Sequence, residues 1–198
     1  MRQHIPVGIL LAAGFGKRFD PTGARNKLLE LLENGTPIAL QAAQNLRQVL
    51  SDVIAVVHTP ELAAQFTGLG CRPLIFPHAD QGMGASLAYA ISVADELGAD
   101  SVLVALADMP YVQPATIQQI VNALNSGADI VQPVFQKQPG HPVGFSKRHF
   151  SALMALTGDT GARHLLHEFP VMHISVDDPG VVHDIDYLSD LRSQKNES

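Results

Sequence analysis

The sequence predicts a three-layer α/β fold, with a mostly parallel sheet covered by helices on both faces. Three observations predict it. Short continuous apolar runs recur along the chain, as expected of strands buried on both faces. Helix-start signals stand between these runs, giving a β-α-β-α alternation. After Phe135 the rhythm breaks, which leaves an irregular C-terminal third.

The elements follow in order. Residues 6–12 form an apolar run ending towards Gly14, read as the first core strand. Thr36-Pro37 starts a helix, with Thr as N-cap and Pro in the first turn, and apolar spacing carries it towards Leu50. Residues 53–58 read as the next strand, and Thr59-Pro60 repeats the helix-start signal. Residues 72–77 read as a third strand. The turn Gln81-Gly82-Met83-Gly84 leads into a helix over about 85–97. Residues 101–107 are the most apolar strand, 114–125 a helix and 129–135 a strand. Residues 136–140 read as a loop and 140–146 as a short extended segment. Two helical stretches and an alternating strand over 171–176 complete the pattern, and the polar tail beyond Ser193 is expected to fray.

The chain of 198 residues suits one domain, 1–198, with an ordered core from about 7 to 191. Hydrophobic residues at 46% and charged residues at 16% are those of a globular protein. The apolar runs are too short to span a bilayer, and the first leads into a Gly-rich basic loop instead of a cleavage site. Cys71 is the only cysteine, so no intrachain disulfide forms. It reads as a small core residue, and a cytoplasmic location is expected. A formal net charge of −6 argues against a nucleic-acid binder. Lys17, Arg18, Arg25 and Lys27, however, concentrate four of the thirteen basic residues in one eleven-residue stretch, which suits a small anionic ligand.

In open parallel sheets ligands bind beyond the carboxyl ends of the strands, so the loops after strands are where a ligand site is expected. Leu11-Ala12-Ala13-Gly14-Phe15-Gly16-Lys17-Arg18 follows the first strand; its glycines free backbone N–H groups for phosphate oxygens, and Lys17 and Arg18 add charged donors. The plainer reading is a glycine turn with solvated charges. A dinucleotide fingerprint would need glycine at Phe19, and a Walker A motif is absent. Asp108 directly follows the most apolar strand, where a carboxylate needs a cation or donors. It suits a Mg²⁺ ligand or, alternatively, a cap on the following turn. Asp184 and Asp186 fall on one side of an extended segment, available to share a metal with Asp108 or to cap a helix beginning near Leu188. Nine histidines include no zinc-hydrolase pattern, and no Gly-x-Ser-x-Gly elbow anchors a serine nucleophile.

These residues resemble the MobA-like nucleotidyltransferases. Leu11-Ala12-Ala13-Gly14-x-Gly16-x-Arg18 with Lys27 resembles the family's signature loop, and Gln81-Gly82-Met83-Gly84-Ala85-Ser86-Leu87 its second nucleotide loop. Leu106-Ala107-Asp108-Met109-Pro110 is similar to its metal-binding motif. Pro139-Gly140-His141-Pro142-Val143, Gly158-Asp159-Thr160-Gly161-Ala162-Arg163 and His183-Asp184-Ile185-Asp186 resemble its cytidylyltransferase branch, which acts on the molybdenum cofactor.

The resemblance implies a Rossmann-like sheet of the nucleotide-diphospho-sugar transferase type. It implies transfer of CMP from CTP to the phosphate of the molybdenum cofactor, with release of pyrophosphate and dependence on Mg²⁺. Leu11, Ala12, Ala13, Gly14, Gly16, Arg18, Lys27, Gly82, Ser86 and Asp108 would hold the nucleotide, with Arg18, Lys27 and Asp108 catalytic. Asp108 and Asp184 would hold the metal, and His141, Arg163 and Asp159 the second substrate. Asp159 has a second reading, as the ion-pair partner of Arg163 on one helical face. The chain departs from the pattern at residues 19–26, which lengthen the first loop, so that either Lys27 or Arg25 reaches the phosphates; Leu28-Leu29 after Lys27 favours Lys27. Some relatives are accessory proteins of molybdenum hydroxylases, so a molybdenum hydroxylase apo-enzyme is a further expected partner. Binding of the cofactor without turnover, or transfer to another phosphorylated small molecule, are the alternatives.

Overall fold

The structure is a computed structural model that describes residues 6–12, 26–76, 82–158, 161–187 and 190. Strand β1 (Pro6–Leu11) is followed by a 3₁₀ turn (Lys27–Leu29) and helix α1 (Ile38–Arg47). Then come β2 (Asp52–Val57), α2 (Pro60–Gly68), β3 (Arg72–Ile75), α3 (Gly82–Glu96), β4 (Ser101–Leu106) and α4 (Pro114–Asn125). The C-terminal third holds β5 (Ile130–Phe135), β6 (Gln138–Pro139), β7 (Val143–Ser146), α5 (Phe150–Met154), α6 (Leu165–Glu168) and β8 (Met172–Ser175), with a 3₁₀ turn (Pro179–Val182) after them. The sheet runs β3-β2-β1-β4-β7-β5-β6, with β8 also paired to β5. β1, β2, β3 and β4 are parallel, and so are β5 and β8, while β7 runs antiparallel between β4 and β5.

The expected alternation is explained by two cores. Leu10, Leu103, Ala105, Val53 and Ala55 point to the layer of α1, α2 and α4. Val7, Ile9, Val102, Val104, Ile54 and Val56 point to the layer of α3 and α5. Successive strand residues face opposite ways, so a strand covered on both sides must be apolar throughout. Each such Leu, Ile or Val contributes about 1.5–3 kcal/mol by leaving water. Cys71 is buried at the edge of the first core, as expected of a small apolar residue.

Several boundaries differ from the reading of the sequence. Thr36 does not cap α1, because its carbonyl accepts from Leu32 N–H at 2.9 Å and closes the turn before the helix; Pro37 takes the cap position without a side-chain hydrogen bond. Helix α3 begins at Gly82, three residues early, because Gly82 adopts φ +90° and turns the chain directly into it. Residues 136–140 are not simply a loop: Gln136 and Lys137, both at positive φ, make a two-residue hairpin turn joining β5 to β6. Neither is glycine or asparagine, so the turn carries no sequence signal. The stretch 140–146 is extended only from Val143.

The C-terminal segment is strapped across the carboxyl end of the sheet. Asp178, 2% exposed, accepts from Gln113 N–H (2.9 Å) and the Thr116 hydroxyl (2.7 Å) through Oδ2, and from Gly180 N–H (3.0 Å) through Oδ1. Gln113, the N-cap of α4, has no side-chain bond to the helix, so a carboxylate from 65 residues away serves that terminus, where an anion is also favoured by the helix dipole. A side chain on Gly180 would meet the Tyr111 carbonyl oxygen, and one on Gly140 would meet that of Val181. The strap is thus wedged between two backbones. Asp178→Ala leaves three donors without their buried acceptor. It should lower unfolding free energy by about 3 kcal/mol, or about 6–12 °C in Tm. Calorimetry showing an unchanged Tm would mean that Asp178 does not anchor the strap.

Candidate active site

The strand order reverses direction between β1 and β4: β2 follows on one side of β1 and β4 lies on the other. A crevice opens at the carboxyl ends of two such strands because the connections leave in opposite directions. The carboxyl ends of β1 and β4 lie side by side there, and Ala107 N–H donates to the Leu11 carbonyl at 3.1 Å.

Asp108 and the C-terminal segment come together at this point. Ile185 N–H donates to the Asp108 backbone carbonyl at 2.9 Å, and the Ile185 side chain is buried with Leu32 and Ile38. Alternation then turns both neighbours, Asp184 and Asp186, to the side of Asp108, as read from the sequence. One carboxylate oxygen from each of Asp108, Asp184 and Asp186 lies within 4.8 Å of the others. Lys27 Nζ donates to Asp108 Oδ2 at 2.8 Å and to Asp186 Oδ1 at 3.2 Å. Burial pulls the Lys27 pKa down, but attraction to Asp108 and hydrogen bonds to Asp108 and Asp186 outweigh it and leave it raised. Lys27 is held by a 3₁₀ turn whose N-cap, Asn26, accepts from Leu28 N–H at 3.1 Å. Three hard oxygen donors of this kind fit a divalent cation of the Mg²⁺ or Mn²⁺ type.

The structure brings Lys27, Asp108 and Asp184 together, and Leu11 and Ala12 end the adjoining strand. Ala13, Gly14, Gly16, Arg18 and Asp159 lie outside the described residues, as do Lys17 and Arg25. Gly82 opens α3, whereas the buried Ser86 hydroxyl donates to the Met83 carbonyl at 2.9 Å, inside its own helix. Gly84 N–H donates to the Gly158 carbonyl at 2.7 Å, and a side chain on Gly84 would clash with the Thr157 and Gly158 carbonyls. Two motifs more than seventy residues apart thus dock backbone to backbone.

His141 N–H donates to the Val181 carbonyl at 2.8 Å, and its Nδ1 is buried without a hydrogen-bond partner. Burial lowers its pKa, opposed by a hydrogen bond with the Val104 backbone and by Asp108 and Asp184, while Arg163 lowers it further. His141 and the exposed Arg163 therefore lie within electrostatic reach of one another and of the carboxylates.

Two contributors, Asn45 and Asp178, escaped the sequence reading. Asp186, read in sequence as an alternative to Asp184, lies with Asp184 beside Asp108. Asn45 donates to the Pro110 (2.8 Å) and Val112 (2.9 Å) carbonyls, fixing the loop after Asp108; its only signal is an amide on the apolar face of α1. Asp178 sits in a polar turn that looks solvated in sequence.

A family model, the MobA-like NTP transferase domain, matches residues 8–173. The purine catabolism protein PucB of Bacillus subtilis (strain 168) is 28% identical over 177 residues, covering 84% of this chain and 82% of that protein. The crystal structure of Rv0371c from Mycobacterium tuberculosis H37Rv superposes with a TM-score of 0.81 at 26% identity, covering 98% of each chain. A manganese complex of Rv0371c superposes with a TM-score of 0.76 at 24% identity, covering 98% of this chain and 100% of that one.

His149, packed edge-on against Phe169, has its pKa lowered by burial as His141 does, partly offset for His149 by Asp129. Both imidazoles have folded pKa values below the ordinary 6.5, so the unfolded chain binds protons that the native state refuses. Their contribution to stability is complete above that value and declines as the pH falls through it. Urea unfolding at pH 7.5, 6.5 and 5.5 should show this loss, smaller in His149→Asn. A variant that falls as steeply as wild type would exclude His149 as a source.

Proposed function

The chain belongs to the MobA-like NTP transferase family of nucleotidyltransferases, and on that premise we propose that it moves CMP from CTP to the phosphate of the molybdenum cofactor. The observation that carries the reading is the cluster of Asp108, Asp184 and Asp186, with Lys27 bonded to Asp108 and Asp186, at the switch point of the sheet. The choice of CTP and of the cofactor rests on the resemblance of the Gly140-His141-Pro142-Val143 and Gly158–Arg163 segments to the cytidylyl branch.

In this reading a phosphate oxygen of the second substrate attacks the α-phosphorus of CTP. The new P–O bond forms as the bond to the β-phosphate breaks, and pyrophosphate leaves with the electron pair. A phosphomonoester has its second pKa near about 6 and is largely ionised at neutral pH, so a strong general base is unnecessary. A divalent cation, Mg²⁺ or the Mn²⁺ of the Rv0371c complex, supplies neutralisation of phosphoryl charge. Asp108, Asp184 and Asp186 would hold it. Lys27 and Arg18 would supply the positive charge that the departing pyrophosphate needs, as charge-assisted donors to its oxygens. Burial disfavours the charged form of His141, which is read as a hydrogen-bonding group for the second substrate; Arg163 supplies the charge, and its planar fork suits a phosphate.

A nucleotide panel with Mg²⁺ and molybdenum cofactor, scored by pyrophosphate release, tests the assignment. Turnover is expected with CTP, and Asp108→Asn should be at least about tenfold slower, or about 1.4 kcal/mol. Preference for GTP would overturn the base, and tight cofactor binding without turnover would favour an accessory role. The second-substrate assignment has its own check. His141→Ala and Arg163→Ala should raise KM for the cofactor at least about tenfold while CTP affinity stays near wild type. If both variants only lose thermal stability, the second substrate binds elsewhere.

A further inference from the structure

We propose that the Lys27 ammonium occupies the divalent-cation position of the nucleotide-free protein, so that metal ion and triphosphate enter together as the ammonium passes from carboxylates to phosphates. This rests on the metal site proposed above.

Three carboxylates gathered within 4.8 Å need a counter-charge whenever no metal is bound, and Lys27 supplies it. Its Nζ stands 2.8 Å from Asp108 Oδ2 and 3.2 Å from Asp186 Oδ1, with the lysine side chain 9% exposed. A magnesium ion sits at about 2.0–2.1 Å from its oxygen ligands. Coordination by those two oxygens would bring it into the space the ammonium now fills, where two cations repel. The metal alone must therefore displace Lys27.

A displaced ammonium, still enclosed, would lack an anion, and an unpaired buried charge is costly. The triphosphate removes the difficulty by bringing phosphate oxygens. The backbone of Lys27 need not move for this: it is capped by Asn26, and Leu28 beside it is buried, so the transfer belongs to the lysine's four rotatable side-chain bonds. Metal affinity then depends on whether a triphosphate is present.

Direct Mn²⁺ binding to the full chain, without nucleotide, tests this by calorimetry or by the spin resonance of free Mn²⁺. Wild type, Lys27→Met and Lys27→Arg are compared, with folding checked by circular dichroism and Lys27→Gln as the substitute if Lys27→Met does not fold. Lys27→Met should bind Mn²⁺ alone at least tenfold more tightly than wild type, and Lys27→Arg no more tightly. With Mn²⁺-tripolyphosphate, a probe that has no base, the order should reverse, wild type binding more tightly than Lys27→Met. Equal or weaker binding of Mn²⁺ alone by Lys27→Met, with Mn²⁺-tripolyphosphate still bound by wild type, would overturn the exchange and leave the metal site standing. If no form binds Mn²⁺ with or without tripolyphosphate, the metal site itself falls, and the exchange with it.

Discussion

Three carboxylates held together, two of them bonded to one ammonium, are the constraint on which the rest of this structure turns. At an effective dielectric of about 20, two like charges about 5 Å apart repel by roughly 3 kcal/mol, less where solvent screens them. Such a group does not gather unaided. Lys27 neutralises part of it, and backbone contacts supply the rest of the restraint: Ile185 N–H on the Asp108 carbonyl, and the Ile185 side chain buried against Leu32 and Ile38. Fixed charges whose neighbours are arranged in advance are what phosphoryl chemistry requires, because its transition state spreads charge over several oxygens.

The remaining architecture serves to hold that point. β1 and β4 are adjacent and parallel, so the chain leaves both at the same end of the sheet. The C-terminal strap then has to cross this end at a defined height. Asp178 sets it by serving the N-terminus of α4, and Gly140 and Gly180 allow it to lie directly on neighbouring backbone. Asn45 restrains the loop between Asp108 and α4 from below. Gly84 plays the same part on the other layer, where α3 meets the 157–158 carbonyls. Glycines in these motifs thus permit close contact between backbones.

How much was legible depended on whether the determining force was local. The β-α alternation followed from apolar runs and helix-start residues, and both cores agree with it. Asp108 was visible because a carboxylate closing the most apolar strand must meet a cation or donors. The β5–β6 hairpin was not visible, because Gln136 and Lys137 take positive φ without the residues that usually signal it. Thr36 misled for a related reason: its local signal as an N-cap was overruled when its carbonyl closed a turn with Leu32.

By itself, then, the sequence determined the layers, the strands that end at the site, and the residue types able to hold a phosphate and a dication. Those follow from hydrophobic period and from the cost of burying charge, which act over a few residues. Only the tertiary structure decided that Asp184 and Asp186 both join Asp108, that Lys27 stands between Asp108 and Asp186, and that a carboxylate at 178 caps a helix beginning at 114. The reason is distance along the chain. Lys27 and Asp186 are 159 residues apart, and their approach depends on the order of strands in the sheet, which no local pattern records.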